Sequence, residues 1–184
     1  MIDWIRTYTG KRFNVFEPTP EVIDIRDIAH ALSNTCRFGG HLTEFFSVAE
    51  HCTNTASLLD KELAIYGLLH DAGEAYLTDI PTPIKHRLPN IIALERGILS
   101  CIAERFGLVE EKFYCRELKK VDWYLCVREA KKLLPQGVEG WEGCSEFGLE
   151  NIGDFKMVFT NAFAPTVAEH LFLQLFQELT HEKV

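Results

Sequence analysis

The sequence predicts an all-α fold, a single-domain helical bundle. Apolar residues recur at intervals of three and four in several stretches, which is typical of amphipathic helices. Capping residues, glycines and prolines bound these stretches. No stretch of useful length alternates between apolar and polar residues as a half-buried strand would. The chain of 184 residues is long enough to bury one full core, so we expect residues 1–184 to form one domain.

The first forty residues are predicted to contain one helix between two irregular segments. Residues 1–20 are interrupted by glycine and proline and should be irregular. A helical pattern begins at Glu21, and its apolar face consists of Ile25, Ile28, Ala29 and Leu32. The segment 36–41 is predicted to be a loop, because its adjacent Gly39 and Gly40 adopt backbone angles that other residues resist.

Two helices should follow this loop. Ser47 is a favourable N-cap for a helix that reaches about residue 59, with Val48, Cys52, Thr55, Leu58 and Leu59 on its inner face. Residues 61–75 are predicted to form the second helix, whose C-terminal half carries His70 and Asp71. The chain must then leave the helical conformation over 79–83, because two prolines there lack a backbone N–H and restrict the residues before them.

The second half of the chain contains three further helical patterns. Helices are predicted over 91–106 and 112–134, with a glycine between them. Residues 137–154 contain five glycines without a helical period and are predicted to form a long loop. Pro165 suits the first residue of a last helix over 166–179, with Val167, Leu171, Gln174 and Leu175 in register.

The overall composition excludes some classes of function. The formal net charge of −8 argues against nucleic-acid binding, which needs a basic surface, but small phosphorylated ligands remain compatible if a divalent cation supplies local positive charge. The sequence lacks an apolar run of about 18 residues and a secretory signal, so we expect no membrane association and a cytoplasmic location. The six cysteines lack C-x-x-C spacing, which favours reduced cysteines over a zinc site or a disulfide framework.

The adjacent pair His70 and Asp71 is the strongest sign of chemistry in the chain. The pair follows the apolar run 66–69, and a buried carboxylate normally has a cation or an ion-pair partner. His51 upstream and Asp122 downstream extend the pair to a mixed set on three helical segments. Taken alone, His51 could be a hydrogen-bonded core histidine, and Asp122 could be a solvated partner of the neighbouring lysines. Together, the imidazoles and carboxylates suit one divalent metal, Mn²⁺, Co²⁺, Fe²⁺, Zn²⁺ or Mg²⁺.

Two further acids follow the His-Asp pair at suggestive distances. Glu74 lies one helical turn after Asp71 and could orient or activate a water molecule, although a surface charge is the alternative. Asp79 precedes an Ile-Pro-Thr-Pro turn, which would mount a general acid or base rigidly. Asp also forms turns without any catalytic role.

Cationic and aromatic residues in two loops are candidates for substrate binding. Arg37 and Lys85 could contact phosphate, and the planar guanidinium of Arg37 suits a bidentate contact. Phe38 and His41 flank the double glycine, where a base could stack on the Phe38 ring and His41 could reach a phosphate. Exposed loop residues of these types are as often inert.

The order His51, His70, Asp71 and Asp122 resembles the HD-domain superfamily of metal-dependent phosphohydrolases. Residues 69–85, LHDAGEAYLTDIPTPIK, resemble the H-D-A-x-E-x-x-x-x-D-[IL]-P-T-P-[IVL]-K segment of bacterial 5′-deoxynucleotidases in that superfamily. Compact HD hydrolases of phages and bacteria, including phage dATP triphosphohydrolases, share this outline and are closer in length. The interval of 19 positions from His51 to His70 is shorter than in the deoxynucleotidases, so their exact substrate is not carried over.

The resemblance implies an HD-type domain whose motifs cover about residues 24–135. It implies that one divalent metal is held by His51, His70, Asp71 and Asp122. Glu74 would position or activate the attacking water, and Asp79 would assist proton transfer. Arg37 and Lys85 would hold phosphate.

We therefore expect a metal-dependent phosphohydrolase of 2′-deoxynucleotides that acts at the α-phosphate. The cationic and imidazole groups exceed what one phosphate requires, which favours dATP-like deoxynucleoside triphosphates over monophosphates. A 5′-deoxynucleotidase acting on monophosphates is the alternative, and a nucleotide-binding sensor without turnover is another. The expected partner is a small nucleotide, and the sequence leaves homo-oligomer formation open.

Overall fold

The computed structural model describes residues 3–139, 141 and 160–181. Helices dominate these ranges, and we label them α1 Ile25–Asn34, α2 Val48–Leu58, α3 Lys61–Leu69, α4 Glu74–Leu77, α5 Thr82–Lys85, α6 Pro89–Arg105, α7 Arg116–Leu133 and α8 Pro165–Thr180. The all-α prediction is confirmed. Within the described ranges, no helix combines the length and apolar character needed to cross a membrane.

The N-terminal segment is more ordered than predicted. Strands β1 Ile5–Arg6 and β2 Arg12–Phe13 pair antiparallel, so the prediction of an irregular segment over 1–20 is wrong for this hairpin. Helix α1 begins at Ile25 rather than at Glu21, because the Asp24 side chain accepts the Arg26 N–H and caps the helix there.

Close packing of α3 against α2 brings the two histidine-bearing segments together. Ser47 caps α2 as predicted, since its Oγ accepts the Glu50 N–H at 3.1 Å. A Cβ at Gly67 of α3 would lie 2.6 Å from the Leu59 Cδ1 and 3.0 Å from the backbone of Ala56. A larger residue at position 67 would therefore push the two helices apart.

The predicted continuous helix over 61–75 is wrong. Helix α3 ends at Leu69, and α4 begins at Glu74 after a turn formed by residues 70–73. The turn closes with short-range bonds, from the Ala72 N–H to the Leu69 carbonyl and from the Glu74 N–H to the carbonyl of residue 71. His70 and Asp71 therefore lie in a turn between two helices.

The remaining helices follow the predictions with shifted ends. Thr82 and Pro83 belong to α5, so the predicted non-helical segment is confirmed only for residues 79–81. The predicted helix over 112–134 is divided into the 3₁₀ helix Glu110–Tyr114 and α7. Helices α6 and α8 lie within one or two residues of their predicted bounds.

The buried face of α8 differs from the predicted one. Ala168, Phe172 and Phe176 are buried, whereas Val167 is 43% exposed. Neighbouring rows of α8 are both apolar, so the pattern alone did not distinguish them. Of the predicted loop over 137–154, only residues 137–139 and 141 are among the described residues. The described cysteines are free, as expected, and Cys144 lies outside the described residues.

Candidate metal centre

Three segments bring the predicted ligands to one place. His51 lies within α2, His70 and Asp71 lie in the turn after α3, and Asp122 lies in α7. One donor atom from each of His51, His70 and Asp71 lies within 4.8 Å of the others. The Oδ1 of Asp122 borders this group, 3.0 Å from the Nε2 of His51 and 3.6 Å from the Nε2 of His70.

The His70 ring has the form expected of a metal ligand. Its Nδ1 lies 2.8 Å from the Gly67 carbonyl oxygen, which only accepts, so Nδ1 carries the proton in this contact. The Nε2 is buried, has no hydrogen-bond partner and lies 3.3 Å from the Oδ2 of Asp71. A buried ring nitrogen without a hydrogen-bond partner, surrounded by carboxylates, fits a divalent cation.

The electrostatics of this group are those of a cation site. Burial lowers the pKa of His70, but the surrounding groups, with Asp71 foremost, together outweigh it, so the His70 pKa lies well above its ordinary value. Burial raises the pKa of Asp71, but attraction to the His70 and His51 rings lowers it by more, so the net shift is downward. Burial raises the pKa of Asp122, but the hydrogen bond from His51 and the attraction of the His70 ring together outweigh it, so the pKa of Asp122 is lowered. The two imidazoles therefore face permanently ionised carboxylates, which a divalent cation would neutralise.

A buried acid that was not predicted from the sequence, Glu129, contacts the His51 ring. Glu129 of α7 is fully buried, and its Oε1 lies 2.8 Å from the Nδ1 of His51. Its Oε2 accepts the Nε–H of Arg37 at 3.0 Å. The signal was present in the sequence, because Glu129 follows Asp122 by two helical turns and therefore shares its face of α7.

Arg37 is buried at the site rather than exposed in a loop. Its side chain is 9% exposed, and its Nη1 lies 3.7 Å from the Oδ2 of Asp71. The guanidinium carbon lies 5.3 Å from the centre of the Phe38 ring. The structure thus places the predicted phosphate ligand beside the predicted metal ligands.

Glu74 is buried next to the His-Asp turn. Its Oε1 accepts a hydrogen bond from Lys85 at 3.1 Å, and its Oε2 is buried without a hydrogen-bond partner. Burial raises the pKa of Glu74 well above its ordinary value, and repulsion from Asp71 and Asp79 raises it further. A carboxyl group in this state exchanges protons nearer to neutral pH than an exposed one.

Lys85 is held by carboxylates on two sides. Its Nζ lies 3.1 Å from the Oε1 of Glu74 and 2.7 Å from the Oε1 of Glu95. The predicted phosphate contact of Lys85 stays a prediction, and a phosphate would have to compete with these two acids. A cavity of about 210 Å³ adjoins this ion pair, and its lining includes His70, Asp71, Lys85, Arg96 and Tyr114.

Asp79 joins the two predicted substrate loops. Its Oδ2 accepts the backbone N–H of Phe38 at 3.1 Å. Phe38 has a φ of +55°, which is unusual for a bulky residue, so this hydrogen bond helps to hold a strained backbone. Burial raises the pKa of Asp79, while Arg37 opposes that shift.

Aromatic rings extend the site beyond Phe38. The Phe38 ring lies 6.4 Å from the Trp141 ring, which lies 6.5 Å from the Trp123 ring. His41 is exposed at the end of the same loop, with its Cδ2 beside Gly39. These rings offer a surface on which a planar group could stack.

Comparisons with known proteins place the chain in a family. No family model matches it. It is 36% identical over 120 residues to the uncharacterized protein RCAP_rcc00048 of Rhodobacter capsulatus, an alignment covering 57% of this chain and 59% of the relative. It is 35% identical over 179 residues to the uncharacterized protein YfdR of Escherichia coli, an alignment covering 97% of both chains. The chain therefore belongs to the family of the Escherichia coli protein YfdR.

Proposed function

We propose that this protein is a metal-dependent phosphohydrolase of the HD type, which hydrolyses 2′-deoxynucleotides at the α-phosphate. The observation that carries the proposal is the buried Nε2 of His70, which lacks a hydrogen-bond partner and faces the Asp71 carboxylate. The residues that would hold the metal are His51, His70, Asp71 and Asp122. A divalent cation bound there supplies Lewis acidity, which polarises a phosphoryl oxygen and lowers the pKa of water.

Glu74 is the proposed general base. Its raised pKa and its free Oε2 support this role, because the carboxylate can accept a proton from the attacking water near neutral pH. The Lys85 ammonium at 3.1 Å opposes the upward shift in the pKa of Glu74 and favours its ionised form. Water attacks the α-phosphorus, the bond from phosphorus to O5′ breaks, and the nucleoside leaves as its 5′-hydroxyl with one proton. Asp79, whose pKa is also raised by burial, is the proposed source of that proton.

Arg37 is the proposed phosphate ligand. Its Nε–H donates a hydrogen bond to Glu129, while its Nη1 lies 3.7 Å from the Oδ2 of Asp71 at the centre. A guanidinium fixed in this way can stabilise negative charge that grows on the phosphoryl oxygens. Phe38 offers a ring for stacking, and the exposed His41 lies in the same loop and could contact more distant phosphates.

We propose deoxynucleoside triphosphates as the substrates in preference to monophosphates. Arg37, His41 and Lys85 provide more donors than one phosphate group needs. Release of the nucleoside from a triphosphate would yield inorganic triphosphate. The two alternatives are a 5′-deoxynucleotidase and a nucleotide sensor without turnover.

A side-by-side assay distinguishes these functions. The protein is loaded with Mn²⁺ or Co²⁺ and incubated with dATP, dAMP and ATP, and the nucleoside products are quantified by chromatography. The proposal expects deoxyadenosine and triphosphate from dATP, and no product from the Asp71→Ala variant. Deoxyadenosine from dAMP alone would reassign the protein as a monophosphatase. No product from any of the three nucleotides, together with measurable nucleotide binding, would favour the sensor.

A further inference from the structure

Glu129 links two parts of the centre that come from distant stretches of the chain. It is fully buried in α7, and its two carboxylate oxygens contact different partners. Its Oε1 lies 2.8 Å from the His51 Nδ1, and its Oε2 lies 3.0 Å from the Arg37 Nε. One carboxylate thus touches both a predicted metal ligand and the predicted phosphate ligand.

The contact with His51 determines which ring nitrogen is available. An ionised carboxylate only accepts hydrogen bonds, so the Nδ1 of His51 must carry the proton. A ring that binds a metal is neutral, so its lone pair would then be on Nε2, the nitrogen that lies 3.0 Å from Asp122 and 3.9 Å from Asp71. Glu129 therefore turns the ligating nitrogen of His51 toward the centre.

The contact with Arg37 requires the same carboxylate. The Nε–H of Arg37 is a donor that cannot be removed at accessible pH, so Oε2 must accept. An amide in place of the carboxylate has one accepting and one donating atom. With its oxygen on Arg37, the amide would donate to the Nδ1 of His51 and so move the His51 proton to Nε2. With its oxygen on His51, the amide would oppose the Nε–H of Arg37.

We propose that Glu129 is a positioning residue that orients His51 for the metal and Arg37 for the phosphate at the same time. The inference rests on the metal site of the proposed function and adds a residue that acts on both halves of it. It is independent of which nucleotide is hydrolysed. Partners of metal-ligating histidines typically change metal affinity by roughly 10–100-fold when they are altered.

Glu50 provides a matched control for Glu129. It is also buried, on the same helix as His51 and directly before it. Its two oxygens accept backbone N–H groups of Asn161 at 2.7 Å and Phe163 at 2.9 Å. Glu50→Gln therefore removes one buried charge and one accepting atom from a side chain that bonds backbone N–H groups rather than the ligand rings.

The first test measures Mn²⁺ affinity by calorimetry in full-length, metal-free protein. We expect Glu129→Gln to bind Mn²⁺ about 10–100-fold more weakly than the wild type. Glu50→Gln should retain the wild-type affinity. Equal Mn²⁺ affinity in the wild type and Glu129→Gln would overturn this inference but leave the proposed function standing. A wild-type protein that binds no divalent ion would overturn both.

The second test needs no variant and so does not depend on the folding of Glu129→Gln. Nitrogen-15 NMR of the Zn²⁺-loaded wild-type protein reports which ring nitrogen of His51 carries the proton. We expect a proton on Nδ1, hydrogen-bonded to Glu129, and none on Nε2. A proton on Nε2, or zinc bound through Nδ1, would overturn the inference.

The third test concerns Arg37. In Mn²⁺-saturated protein, inorganic phosphate is the probe, and its dissociation constant is measured by calorimetry. Glu129→Gln should weaken phosphate binding even when the metal site is full, whereas Glu50→Gln should not. If metal-saturated Glu129→Gln bound phosphate as tightly as the wild type, Glu129 would not position Arg37, and that half of the inference would be overturned.

Discussion

The substitution Arg37→Met removes one charge from a buried pair and preserves most of the side-chain length. Glu129, its partner, is fully buried and lies 3.0 Å from the Arg37 Nε. The substitution leaves the Glu129 carboxylate in the interior without its guanidinium. We expect a large loss of stability, and the reason is the desolvation of Glu129 rather than the loss of a contact.

The size of the loss follows from burial on both sides of the pair. Removing one partner of a buried ion pair costs about 3–5 kcal/mol. Glu129 keeps its contact with His51, whose pKa is raised, so His51 can become protonated and offset part of the cost. We therefore expect a value near the lower end, about 3 kcal/mol, which corresponds to a decrease in Tm of roughly 6–12 °C in a chain of this size.

The assay is urea unfolding followed by circular dichroism, with EDTA present so that bound metal does not contribute. Arg26→Met is the matched control, because Arg26 makes two hydrogen bonds to Asp24, at 3.0 and 2.8 Å, but its side chain is 56% exposed. Arg26→Met should lower the free energy of unfolding far less than Arg37→Met, although Arg26 has the better hydrogen-bond geometry of the two arginines. Equal losses in the two variants would refute the reasoning from burial.

Three further predictions concern the centre itself. Asp71→Ala should purify with little divalent metal by elemental analysis, and wild-type metal content would contradict its role as a ligand. Glu74→Gln and Asp79→Asn should retain metal while kcat falls by about 10²–10⁴, and an unchanged kcat in both would reduce them to structural residues. The raised pKa of Glu74 contributes stability at low pH that is lost as the pH rises through the folded-state pKa. In EDTA, Glu74→Gln should therefore gain stability relative to the wild type as the pH rises above the ordinary pKa of a glutamate, and a pH-independent difference would contradict this.

Local signals in the sequence were sufficient for most helices. Ser47 caps α2 because its hydroxyl satisfies a free N–H of the first turn, an interaction that lies within four residues. Pro165 begins α8 because proline needs no hydrogen-bond donor at that position. The residue types of His51, His70, Asp71 and Asp122, together with the resemblance of their order to the HD-domain superfamily, also predicted that these side chains would converge.

Tertiary packing decided what local signals left open. The periodicity over 61–75 favoured one helix, yet the helix ends at Leu69, and α3 packs closely on α2 at Gly67. On α8 two adjacent rows were apolar, and packing selected the row of Phe172 rather than that of Val167.

The sequence by itself determined the all-α class and the main helices, because caps and periodicity act between neighbouring residues, and it predicted side chains that the structure brings together as a candidate metal site. Only the tertiary structure decided that Arg37 is buried and that Glu129 connects it to His51. These residues lie 92 and 78 positions from Glu129. A local sequence pattern does not predict contacts over such separations. The buried carboxylate needs both partners because its surroundings have a low dielectric constant, and those surroundings exist only after the helices have packed.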